Sequence, residues 1–426
     1  MMFTRIRKIQ SDLVVRHGRS RGRLLLIMGA RQVGKSTLAS RAFPDHATVN
    51  FDSPYERSVY SGLSPNDWIG QYPEAILDEV QKLPEVLGTI KACYDRDSAV
   101  RYVILGSSQI MLMKKVRESL AGRVAIQELF PFTLPELVLV SPEAVPAQSA
   151  FLQLMRAERP VEAIEALVPP TYALQPAYSR ASERWQYFLR WGGMPALLDE
   201  TWTDDDRFEW LRDYQVTYLE RDLADLAQLD RLEPFTRAQK ALALRTAQPI
   251  NFSELARLSD VTSPTARKFT RYLEISYQVL NLGAWFRNPE KRLTKRAKLH
   301  FLDPGVRRAV LGRRGEPDGA ELESAVVAEI YKQLKTERLP VDLHHIRTSD
   351  GAEIDLLLER EDGYIGIEIK RSARVGSSDA RHLRGLADVL DKPLLLGLVL
   401  SNDTQTRRLP GEDLPLWNVG IPWFLS

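Results

Sequence analysis

A fully apolar run, Leu24 to Met28, leads directly into Gly29-Ala30-Arg31-Gln32-Val33-Gly34-Lys35-Ser36-Thr37, and no other stretch restricts the fold so tightly. Consecutive apolar residues without alternation read as a strand buried on both faces, which belongs to a parallel sheet. The glycine-bounded loop fits a phosphate-binding loop, and its position after a strand and before a helix is what gives the match its weight. Gly29 and Gly34 free the backbone to aim successive N–H groups at a phosphate, and the positive end of the following helix adds to them. Lys35 is then placed to bridge the β- and γ-phosphates, and Ser36 to offer its hydroxyl to magnesium. Residues 29–37 are thus expected to bind ATP with Mg2+.

A second segment, Ala75-Ile76-Leu77-Asp78-Glu79, reads as another buried strand that ends in adjacent carboxylates. Asp78 would hold the magnesium through its water shell, and Glu79 would orient or deprotonate the attacking water. Further apolar runs at 48–51 and 100–105, with helix-like stretches between, give the rhythm of a doubly wound α/β domain. Ser107 and Ser108 follow the last of these; they either sense the γ-phosphate or form a plain serine-rich turn.

At 426 residues the chain exceeds one hydrophobic core and should divide into about three domains of ordinary size. A net charge of +2 supplies no global positive field, so any nucleic-acid surface must be a local patch. One cysteine, Cys93, excludes an intrachain disulfide framework and fits a reducing compartment. No run of about 18 apolar residues occurs, and a cytoplasmic protein without a membrane span is expected.

Prolines 142, 146, 160, 169, 170 and 176 suggest an irregular insertion in a helical region, and Gly192, Gly193 and Pro195 should separate two helices of a small lid. Beyond it, 251–258 and 263–273 read as two short helices around a turn at 260–262, with Ser263 as N-cap and Pro264 in the first turn. Ala266, Phe269 and Leu273 share one face, which leaves Thr265, Lys268 and Arg271 on a polar outer face in a helix-turn-helix outline. Arg287, Lys291, Arg292, Lys295, Arg296 and Lys298 then crowd a segment with a single acid, Glu290. In a winged variant, Arg292, Lys295 and Arg296 would lie along DNA phosphates; the alternative is a protein-contact domain with solvated charges.

Near the end, Glu353-Ile354-Asp355 and Ile367-Glu368-Ile369-Lys370 sit on two strand-like segments joined by Asp362-Gly363, a hairpin signal. Alternation puts Ile365, Ile367 and Ile369 on one face and Glu368 and Lys370 on the other, where Asp355 can join them. Paired carboxylates bind a divalent ion that polarises phosphate and activates water, although a hairpin with a wet charged face has the same pattern.

GARQVGKSTL, ILDEVQKLP, ILGSSQ and SLAGRV, in this order, resemble a large bacterial and archaeal family of AAA-type ATP-binding proteins with a C-terminal domain of unclear function. GGMPALL at 192–198 and KRLTKRAKLHFLDPGV at 291–306 carry the resemblance along nearly the whole chain. It implies that Arg123 is an arginine finger for a neighbouring subunit in a homo-oligomer, and that Pro195 belongs to a lid turn near the nucleotide. The C-terminal segments resemble the restriction-endonuclease-like fold, which implies a metal site of Asp355, Glu368 and Glu323 with Lys370 assisting attack. The expected architecture is an α/β AAA-type core at 1–135, a helical lid at 136–231, a winged-helix-like module at 232–310 and an α+β nuclease-like domain at 311–426. The expected activity is ATP hydrolysis driving action on DNA, by remodelling or translocation, with or without cleavage. A regulatory switch acting on a protein partner is the alternative.

Overall fold

The computed structural model describes residues 5–106, 115, 116, 118–169, 171, 172, 175–218, 232–347, 353–410 and 414–426. Its first sheet holds β1 (Leu24–Met28), β2 (Ala47–Asn50), β3 (Glu74–Asp78), β4 (Arg101–Gly106) and β5 (Val124–Glu128). These run parallel in the order β2-β3-β4-β1-β5. Leu24, Leu25, Leu26 and Ile27 are wholly buried, worth about 2 kcal/mol each. The helix Val86–Arg96 covers the sheet with Val86, Leu87, Ile90 and Cys93, one stripe of a 3.6-residue period. Because the strand order reverses at β1, a crevice opens beyond its carboxyl end, and the glycine loop lies there.

A second sheet contains β6 (Gln248–Pro249), β7 (Val279–Ala284), β8 (Lys298–Phe301), β9 (Asp342–Arg347), β10 (Glu353–Glu359), β11 (Tyr364–Lys370), β12 (Leu394–Ser401), β13 (Arg407–Leu409) and β14 (Leu416–Gly420). Among the described residues they order as β13-β14-β12-β11-β10-β9-β7-β8-β6. Three helices, Glu233–Leu244, Phe252–Ser259 and Ser263–Ile275, pack with β6, β7 and β8 around Phe235, Phe269 and Leu273. The N-cap of the third is Thr262, whose side chain accepts from the Thr265 N–H, with Ser263 already helical. Asp260 takes the left-handed conformation at φ 54° that closes the preceding helix.

The boundary expected near 310 does not interrupt the sheet. β7 pairs in parallel with β9, Gly283 opposite His344 and Ala284 opposite His345, so the helix-turn-helix unit and the C-terminal strands share one ladder. Nor is the proline-bearing stretch from about 140 to 180 an irregular insertion throughout. Pro160 and Pro176 open the helices Pro160–Leu167 and Pro176–Trp191, the position where a missing N–H costs nothing. This region shares a core with the C-terminal sheet: Phe151, Tyr172 and Phe188 pack with Ile367, Leu398 and Phe424. None of the helices is long and apolar enough to cross a membrane among the described residues.

Candidate functional site

The loop after β1 is shaped by two constraints. Gly34 adopts φ 91°, open to glycine at no steric cost, and a Cβ on Gly29 would fall 2.1 Å from the Leu129 carbonyl oxygen. Lys35 Nζ donates to the carbonyls of Gly29 at 3.1 Å and Ala30 at 2.8 Å, holding its cation inside the loop's own curve. The Ser36 hydroxyl donates to Asp78 Oδ2 at 2.7 Å, so the loop and the end of β3 meet where the sequence placed magnesium. Asp78 Oδ1 accepts from the Glu79 N–H at 2.9 Å. Glu79 has φ 57°, which costs a non-glycine residue about 1 kcal/mol or more, and its carboxylate accepts from Gln81.

A cleft of about 440 Å³ opens beside the loop, lined by Gln32, Val33, Gly34 and Thr37 on one side and by Pro195, Asp199, Trp202 and Trp210 on the other. Arg7 completes a wall. Buried to 6% exposure, it donates to the Val33 carbonyl at 3.3 Å and pairs with Glu136 at 3.2 Å, and burial pulls its guanidinium below its ordinary pKa. The turn that carries Pro195 is fixed by Asp303: Gly193 N–H donates to Asp303 Oδ2 at 2.8 Å, while Asp303 Oδ1 accepts from Val306 N–H at 3.1 Å and caps the helix Pro304–Leu311. Gly192, at φ 79°, would drive a Cβ to 1.9 Å from Asp303 Oδ1. Enclosure raises the Asp303 pKa above the usual carboxylate range. Ser107 and Ser108 lie outside the described residues, and Arg31 flanks the loop at intermediate exposure.

Arg123 stands at the far end of the sheet. Val124 pairs with Leu24 and Glu128 with Met28, which puts Arg123 about 17 Å from the loop of its own chain at 3.3 Å per residue. Its guanidinium forks onto Asp95 at 2.8 and 3.1 Å.

On the helix-turn-helix unit, Lys268 and Arg271 are exposed and Thr265 is half-buried, bonded through its hydroxyl to Thr262. Lys295 and Arg296 are also exposed. Arg292 is not on that surface: it donates to the Phe286 carbonyl at 2.6 Å and to Glu359 at 3.0 Å, with its guanidinium over Trp285. The shared sheet brings Glu359 close enough to recruit it. Lys298 departs further, 1% exposed and turned toward the acids of the C-terminal domain.

There the register sets Leu356 opposite Ile367, and therefore Asp355 opposite Glu368. Lys370 Nζ donates to Glu368 Oε2 at 2.7 Å, and Asp355 Oδ2 accepts from Ile369 N–H at 2.8 Å. Lys298 Nζ lies 2.9 Å from Glu323 Oε1 and 3.8 Å from Asp355 Oδ1, and bridges to Glu353. Burial, with Asp355 nearby, pushes Glu323 up to about 8 and Glu368 up to about 7. Burial raises Asp355 as well. Burial also opposes the charge on Lys298, but Glu323, Asp355 and Glu353 outweigh it and raise its pKa. The four expected residues are brought together, with Lys298 as an addition that the sequence reading left on the wing. Among the described residues, no group of three or more His, Cys, Asp or Glu side chains is arranged to hold a metal ion.

A parallel sheet whose central strand feeds a glycine loop, with serine and aspartate meeting at its mouth, defines a P-loop nucleotide-binding domain. Residues 21–138 match the AAA domain family, 182–316 match a domain of unknown function (DUF8612), and 318–419 match another (DUF4143). The chain carries an AAA-type ATPase domain, of the class that binds and hydrolyses ATP, followed by a C-terminal domain of unknown function. The uncharacterized proteins Rv2008c of Mycobacterium tuberculosis and Mb2031c of Mycobacterium bovis are each 28% identical over 368 residues, spanning 84% of this chain and 73% of theirs. The Walker-type ATPase PABY2304 of Pyrococcus abyssi aligns with a TM-score of 0.44 at 16% identity, over 73% of this chain and 99% of that one.

Proposed function

We propose that the protein is a magnesium-dependent ATPase that acts on DNA, by remodelling or translocation, and passes its nucleotide state to the helix-turn-helix unit. The observation that carries this reading is the Gly193–Asp303 bond: the turn walling the nucleotide cleft is held by a residue two positions beyond β8, the strand that follows the basic segment. A shift of the lid on hydrolysis therefore acts on that unit through this buried contact and the packing around it. Ser36 and Asp78 are the residues that would hold Mg2+, which when bound neutralises charge developing on the phosphates. Glu79 would orient the attacking water, and Arg123 would complete the site of a second copy in a homo-oligomer. In the C-terminal domain, Asp355 and Glu368 would hold a divalent ion for phosphodiester chemistry, since Glu368 Oε1 is buried without a hydrogen-bond partner among the described residues, while Glu323 is taken up by Lys298.

A regulatory switch acting on a protein partner is the second reading, and the engagement of Arg292 within the chain favours it. The two separate on ATPase rate with single-stranded, duplex and branched DNA. Stimulation is expected for a DNA-acting enzyme; a rate indifferent to all three, with no DNA retained, would leave the switch.

A further inference from the structure

Burying a lysine costs several kcal/mol unless its charge is compensated, so a lysine 1% exposed marks a place where compensation is built in. Strand β8 shows how. Leu299 and Phe301 face the core of the helix-turn-helix unit, while Lys298, the first residue of β8, turns to the opposite side and reaches three carboxylates of the C-terminal domain. One of them, Asp355, is a residue that the nuclease-like centre proposed above would use for metal. A divalent ion at Asp355 and Glu368 would sit within a few ångströms of the ammonium, where like charges repel. Ammonium and metal cannot both be held at full strength.

We propose that Lys298 is the resident cation of the C-terminal acid cluster, and that it competes with divalent metal for the site. The reading of the cluster as nuclease-like underlies this step, but the competition itself needs no DNA. Lys298 immediately follows the exposed segment that contains Lys295 and Arg296.

The test is a titration of the full chain with Mn2+ in the absence of nucleotide and DNA, read by calorimetry and by thermal midpoint. Lys298→Met keeps the side-chain length and removes the charge. It should bind Mn2+ about tenfold tighter than the wild type or better, and the gain should vanish in Lys298→Met/Glu368→Gln. Lys298→Arg, which keeps the charge, should show no gain. If Lys298→Met does not fold, judged by loss of ATP binding, Glu353→Gln loosens the lysine from outside the metal set and should give a smaller gain of the same sign. Equal Mn2+ affinity in wild type, Lys298→Met and Glu353→Gln would overturn the proposal. Absence of DNA cleavage with the Mn2+ gain intact would overturn the nuclease reading alone.

Discussion

Gly193 and Asp303 are 110 positions apart in the chain, and the 2.8 Å bond between the backbone N–H of one and the carboxylate of the other joins the cleft's lid turn to the cap of a distant helix. The same carboxylate accepts from Val306, so it serves two backbone groups that would otherwise be buried and unpaired. Asp303→Ala should therefore cost about 2–4 kcal/mol, combining loss of an N-cap with an orphaned buried donor. Denaturant unfolding with and without ATP checks this, and weaker stabilisation by ATP is expected because the Pro195 wall loses its anchor.

Lys35→Ala should lower ATP affinity about tenfold to a hundredfold, the worth of one charge-assisted contact of 1.5–3 kcal/mol. The surrounding carbonyls of Gly29 and Ala30 remain, and they repel phosphate once the ammonium is gone. Nucleotide titration measures it.

Glu79→Gln should keep ATP bound while turnover falls by roughly 10²–10⁴, the usual contribution of a positioned general base. Asp78 and its bond to Ser36 are untouched by the change. Single-turnover hydrolysis at saturating ATP separates the two effects.

Arg123 is held by Asp95 on the surface of its own chain and lies at the end of the sheet remote from its own loop. Turnover per chain should rise with protein concentration, and Arg123→Ala should lose that rise, with a fall of up to about 10³ in rate and little change in ATP affinity. Turnover independent of concentration would remove Arg123 from the reaction.

Neutralising Lys268, Arg271, Lys295 and Arg296 together should reduce the slope of log K against log salt for duplex DNA by about four contacts' worth. Arg292→Ala is expected to behave differently. Its contacts with Phe286, Glu359 and Trp285 are internal, so the thermal midpoint should drop while the salt slope stays.

The parts of the fold that local pattern specifies were legible. The apolar run at β1, the glycine loop and the acidic end of β3 each follow from short-range chemistry, and the hairpin at 362–363 fixed Asp355 opposite Glu368 through simple alternation. What depends on pairing between distant segments was not. Nothing near Arg292 distinguishes it from the exposed Lys295 and Arg296 until β7 lies beside β9 and Glu359 comes within reach, and Lys298 meets Glu353 and Glu323 only through the same pairing. Arg7 was hidden for the same reason: a lone arginine in a basic leader gains its role only from Glu136 and Val33. Alternation on β8 is the one available signal, since Lys298 falls out of phase with Leu299 and Phe301.

The ladder between β7 and β9 also limits how this chain could be taken apart. A C-terminal piece begun after residue 310 would present the unpaired edge of β9 to other molecules, an invitation to edge-to-edge association, and would leave Glu323, Glu353 and Asp355 without the ammonium that offsets them. The preceding unit, severed, would bare Lys298 without its counter-charges. Any exchange or grafting of the C-terminal domain has to carry β7 and β8 with it, because the two halves are one cassette stitched along a strand.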